Sequence, residues 1–207
     1  MPLNLQYALY GILGLLVLGT LIIGLKRQFK PGPGDHELWL RMRSWWVMAG
    51  LFILAIAVNR QLSIVFFALV SFLALKEYFS IIPTRRADRR VLFWAYLAIP
   101  LQYFWVNQAW FGMFIVFIPV YLFLFIPLKM VIVGETQGFL KAAGTLHWGL
   151  MTTVFSLSHA AFLLALPDAG NPVAGSAGLL LFLVFLTQFN DVMQFVWGKL
   201  IGRIKVI

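Results

Sequence analysis

Seven long apolar stretches, at about 4–25, 44–58, 62–80, 91–106, 109–128, 145–166 and 176–197, leave this chain little polar surface to show to water. About 20 residues of helix cross a ~30 Å hydrocarbon core, and a single segment in lipid satisfies its own backbone only as a helix. The sequence therefore predicts an all-α, polytopic integral membrane protein with about seven transmembrane helices, forming one transmembrane domain over 1–207. The second and fourth stretches are short and are expected to tilt little. Composition excludes the soluble alternative, since 62% of the residues are hydrophobic and 11% charged, where a soluble domain carries about 25% charged residues.

The 16 Lys and Arg residues give a net charge of +9. Most of them flank apolar segments, where they set topology and meet lipid headgroups, so a nucleic-acid partner is not expected. An N-terminus outside and a C-terminus inside puts all of them but Arg60 at or near the cytoplasm, as the positive-inside rule requires. The polar loops at 83–90 and 134–144 then face the cytoplasm. Cysteine is absent, which rules out disulfides and thiol chemistry. The first stretch has no basic region before it and no small-residue cleavage site, and is read as an anchor. Pro31-Gly-Pro-Gly34 is a linker, and Leu38–Trp46, with Arg41 and Arg43 among tryptophans, looks like an interfacial segment leading into the second helix. Pro100, Pro119 and Pro127 each remove a backbone donor and invite a kink in helices four and five.

The seventh stretch carries the chemistry. At about 100° per residue, Thr187, Asn190, Asp191, Gln194, Gly198 and Gly202 share a sector of roughly 120°, while Phe189, Val192, Met193 and Val196 cover the rest. A carboxylate at membrane depth costs about 3 kcal/mol unless it faces a partner or a wet cavity, which makes Asp191 a functional candidate; a structural interhelical bond is the plainer reading. Lys199, Arg203 and Lys205 follow it, either as phosphate-binding groups or as an ordinary positive-inside cap. His147 and His159 lie too far apart around their helix for one metal pair and are expected to hydrogen-bond between helices beside Ser156 and Ser158. Lys76 and Glu77 are expected to pair with neighbours, and Glu135 with Thr136 to cap the sixth helix.

The stretch Asp191-Val-x-Gln-Phe-x-x-Gly-Lys-x-x-Gly-Arg-x-Lys205 resembles the Asp-Val-x-(Ala/Gln)-Tyr-x-x-Gly-(Arg/Lys)-x-x-Gly-(Lys/Arg) motif of the phosphatidate cytidylyltransferases, and Phe66–Tyr78 is similar to a segment of a bacterial subgroup of that family. The resemblance implies a transferase of phospholipid biosynthesis in the bacterial inner membrane, moving a cytidylyl group from CTP to phosphatidic acid and giving CDP-diacylglycerol and pyrophosphate. It implies Asp191 and Asn190 as catalytic residues and Gln194, Gly198, Lys199, Gly202, Arg203 and Lys205 as substrate-binding residues. It also implies Mg2+, with ligands mostly in a later part of the family. That part, a Ser-Pro-x-Lys-Thr loop, further helices and an Asp-Arg-x-Asp motif, does not follow Lys205, so the expectation is an incomplete cytidylyltransferase domain, inactive alone, completed by a C-terminal partner chain or covered in a homodimer. Two readings from other classes stay open: a transporter or channel with Asp191 in its path, and a non-catalytic membrane partner subunit.

Overall fold

The computed structural model describes residues 3–29, 35–83, 85, 89–134, 137–167 and 173–202, and among them every regular element is helical. Seven rods follow one another: α1 (Leu3–Phe29), α2 (Asp35–Val58), α3 (Arg60–Ile81), α4 (Arg89–Asn107), α5 (Phe111–Val133), α6 (Phe139–Ala165) and α7 (Gly175–Leu200). They coincide with the seven apolar stretches. Five of them, all but α2 and α4, are long and apolar enough to cross a membrane. The second rod begins earlier than its apolar stretch, because the tryptophan-rich segment that leads into it is itself helical. It forms the first turns of one continuous 24-residue helix.

Local chemistry sets the ends. The Asn59 side chain accepts the Leu62 amide at 2.7 Å and starts α3, while the Arg60 guanidinium donates to the Val106 and Asn107 carbonyls at 3.2 and 3.1 Å and closes α4. The expected 134–144 loop is much shorter than predicted. Gly134 ends α5 at φ 84° and Gly138 opens α6 at φ 67°, left-handed conformations that favour glycine, so helix resumes at Phe139. Glu135 and Thr136 lie outside the described residues.

The prolines act unequally. The α-helix continues through Pro100 and Pro127, whereas Pro119 sits in a π-helical segment, Phe117–Leu122. A second π segment, Leu150–Phe155, lies opposite it in α6. There the hydroxyls of Thr152, Thr153 and Ser156 donate to the carbonyls of Trp148, Gly149 and Met151 at 2.7–2.9 Å and compete with the helical ladder. Fully buried Gln102 of α4 bridges the two rods, its amide donating to the Phe114 carbonyl at 3.2 Å and the Ser158 hydroxyl at 3.1 Å. Phe114 lies five residues before Pro119, where a π turn would want the missing amide.

Rods α3 to α6 enclose the main core around Leu75, Val106, Phe114, Ile118, Leu150 and Val154. A smaller cluster, Leu5, Leu9 and Leu181, joins α1 to α7. The peripheral rods are mostly bare: 11% of the spanning window is buried in α1 and in α7, against 39% in α6. Their exposed surface is large and apolar, Leu15, Leu18, Phe182 and Phe189 among others, and a soluble protein could not carry it.

Contacts at the ends show that the rods alternate in direction. Asn4 donates to the Val173 carbonyl at 3.0 Å, and Phe52 and Ile53 of late α2 pack on the Leu5–Leu181 cluster. Those contacts, with the Arg60 bonds, define one end of the bundle. At the other, the Tyr78 hydroxyl donates to the Thr145 carbonyl at 2.9 Å and Arg85 to the Gln137 carbonyl at 2.6 Å. Lys26, Arg27, Arg41, Arg43, Lys76, Arg85, Arg89, Arg90, Lys129, Lys141 and Lys199 belong to this second end, and Arg60 alone among the described basic residues belongs to the first. Lys30, Arg86, Arg203 and Lys205 lie outside the described residues.

Candidate functional site

Rod α7 is continuous helix from Gly175 to Leu200, so its polar residues keep the spacing read from the sequence. At 1.5 Å per residue Asp191 lies about 24 Å from Gly175 and about 13 Å from the basic end, inside the hydrocarbon of a ~30 Å core. Asn190, Asp191, Gln194 and Gly198 are all exposed in the chain. Thr187 returns its hydroxyl to the Leu183 carbonyl at 2.6 Å. Among the residues whose side chains are described, Asp191 makes no ion pair or hydrogen bond. An exposed carboxylate at this depth needs water, a basic group outside the described residues or further protein against it.

The two glycines differ. Nothing lies within 4 Å of where a side chain at Gly198 would begin, so the face is open at that turn. At Gly202 a side chain would collide with the Gly198 carbonyl, as the chain turns off the helix after the Ile201 amide bonds the Trp197 carbonyl at 2.9 Å. Lys199 follows on the last turn of the helical backbone, and Arg203 and Lys205 lie outside the described residues.

One basic group that the sequence placed only in an interfacial segment, and not at the site, packs on this rod. The Arg41 guanidinium lies 4.9 Å over the ring of Phe195, and its Nη2 donates to Glu37 Oε1 at 2.7 Å. Phe195 is one helical turn from Asp191, about 40° away around α7. Met42, whose methyl sits where a side chain at Gly19 would begin, and Trp46, whose indole donates to Thr20 Oγ1 at 2.9 Å, hold this part of α2 on α1. Arg41 is distant in sequence, and only its aromatic neighbours signalled an interfacial role.

The histidines depart from expectation. His159 uses Nδ1 on the Phe155 carbonyl of its own helix at 2.8 Å and meets α5 through an edge contact with Phe114, ring centres 4.7 Å apart. His147 Nδ1 is buried without a partner beside Phe123. Neither bonds between helices, because aromatic rings and not polar groups face them. Lys76 and Glu77 likewise form no ion pair among the described residues.

No group of three His, Asp or Glu residues capable of holding a metal occurs among the described residues. Mg2+ in phosphate chemistry is held by one or two carboxylates together with substrate phosphates and waters, and Asp191 is the carboxylate that this face of α7 offers. The arrangement suits electrostatic holding of phosphates beside one fixed carboxylate.

The last described rod of this helical bundle carries an acid, with an open glycine position one to two turns further on. The chain belongs to the cytidylyltransferase family, whose sequence pattern matches residues 39–207. It is also 40% identical over 203 residues to the uncharacterized protein YnbB of Escherichia coli (strain K12), an alignment that takes in 98% of this chain and 66% of that protein. The chain thus spans about two thirds of the length of that curated relative. No solved structure matches.

Proposed function

We propose that this protein takes part in transfer of a cytidylyl group from CTP to phosphatidic acid, giving CDP-diacylglycerol and pyrophosphate for phospholipid biosynthesis at the bacterial inner membrane. The observation that carries the reading is the exposed Asp191, at membrane depth and without a partner among the described side chains, on a rod that leads to Lys199, Arg203 and Lys205. In this reaction a phosphate oxygen of the lipid attacks the α-phosphorus of CTP, the bond from that phosphorus to the bridging oxygen breaks, and pyrophosphate leaves. Both reactants are anionic, so bringing them together requires fixed positive charge, which the basic end supplies. Asp191, with Asn190 and Gln194 on the same face, orients and limits that charge; Lys199, Arg203 and Lys205 hold phosphates. The basic end faces the cytoplasm, where CTP is found, with the N-terminus outside.

The acceptor is tested by giving membranes that contain the complete gene product either phosphatidic acid or diacylglycerol, with CTP. Lipid-linked cytidine formed from phosphatidic acid alone is the expected result. Phosphorylation of diacylglycerol with release of CDP would replace cytidylyl transfer by phosphoryl transfer at the same site.

A further inference from the structure

Arg41 brings a cation from α2 onto the α7 rod that carries the candidate site. Its guanidinium covers Phe195, which lies at the edge of the polar sector of α7, about 40° from Asp191 and 60° from Gly198. One of its nitrogens is taken by Glu37 and one face by the ring, which fixes the fork without using all five donors. The pairing is not explained as a stability device, because an exposed i,i+4 ion pair contributes little. It does carry a cation from the start of α2 to Phe195, one helical turn beyond Asp191 on α7.

Depth identifies what such a cation meets. Phe195 is about 30 Å along α7 from Gly175, the full thickness of a hydrocarbon core, so Arg41 lies at headgroup level. Its neighbours Trp39 and Trp46, both partly exposed, are of the kind that settle at that level. We infer that Arg41 is a substrate-positioning residue of the Asp191 site, and that it binds the headgroup phosphate of the lipid acceptor. The inference rests on the proposed acceptor being a phosphate-bearing lipid. Glu37 holds the guanidinium in place until the phosphate, a better-matched bidentate partner, takes its donors.

The test uses the 207-residue chain in nanodiscs of phosphatidylcholine with a minor fraction of phosphatidic acid. Retained phosphatidic acid is counted by native mass spectrometry and CTP affinity by equilibrium dialysis, with circular dichroism to verify folding. Arg41→Gln should lower phosphatidic acid retention about tenfold with CTP affinity unchanged, and Arg41→Lys should restore only part of it, because the fork is lost. Glu37→Gln should leave retention intact or raise it. Equal losses in Arg41→Gln and Glu37→Gln would reduce Arg41 to a structural ion pair and overturn the inference. A loss of CTP affinity in place of lipid retention would also overturn it, giving Arg41 to the nucleotide. Retention unchanged in Arg41→Gln refutes the role of Arg41 while leaving the acceptor standing. No preference for phosphatidic acid in the unsubstituted protein removes the acceptor itself.

Discussion

Gly149→Ala is expected to destabilise the bundle although alanine is the better helix former. A side chain at this position would begin 2.5 Å from Cε1 and 2.8 Å from Cδ1 of Tyr78, both in the ring and neither a flexible chain end. The ring cannot swing away freely, since its hydroxyl donates to the Thr145 carbonyl at 2.9 Å and its edge meets Phe79 with centres 5.5 Å apart. Overpacking costs about 1–3 kcal/mol and loss of the hydrogen bond adds about 1 kcal/mol. Higher helix propensity returns up to about 1 kcal/mol, so the net loss is about 1–3 kcal/mol. Gly144→Ala is the internal control. Nothing lies within 4 Å of a side chain there, so only the propensity gain of up to about 1 kcal/mol remains and the sign reverses. Reversible unfolding in mixed micelles of mild detergent and dodecyl sulfate, followed by tryptophan fluorescence, measures both. Adding Tyr78→Leu should make Gly149→Ala nearly neutral if the ring is the obstacle. Destabilisation by Gly144→Ala equal to that of Gly149→Ala, or no coupling to Tyr78, would refute the close contact between α3 and α6.

The other predictions concern the core, the acid and the orientation. Gln102→Leu should cost about 1–3 kcal/mol in the same unfolding assay, because Phe114 and Ser158 lose a buried donor; an unchanged midpoint would mean that the bridge across the π segments contributes nothing. In the complete gene product Asp191→Asn should abolish turnover with folding retained, while Phe189→Leu, on the lipid side of α7, should be mild. Near-normal turnover by the asparagine variant would remove Asp191 from the chemistry. Single cysteines at Val173 and Lys141 should react with an impermeant reagent from outside at Val173 only, and the reverse pattern would invert the topology.

The fold was legible in the sequence where one constraint dominates: apolar runs of spanning length have one backbone solution, and all seven became rods. Their ends were less legible because they depend on single residues. Gly134 and Gly138 in left-handed conformations extended α6 back to Phe139, and Leu38–Trp46 joined α2 because nothing in it breaks a helix. The π segments were not foreseen, since they arise from one proline and from three hydroxyls that turn back on their own helix. In the candidate site, the face around Asp191 was readable because helical spacing alone defines it. Arg41 was not, because a contact between Arg41 and Phe195 is set by how α1, α2 and α7 pack, which no local pattern encodes. The histidines were misjudged for the same reason, their neighbours proving aromatic.

Membranes from cells making the complete gene product, incubated with phosphatidic acid and CTP labelled at either its α- or its γ-phosphate, give the most direct measurement. The account predicts that the α-label enters the chloroform-soluble fraction as CDP-diacylglycerol while the γ-label leaves as pyrophosphate, and that Asp191→Asn stops both. Label from the γ-position in lipid, or no lipid label from either nucleotide above membranes lacking the protein, would contradict cytidylyl transfer as its activity.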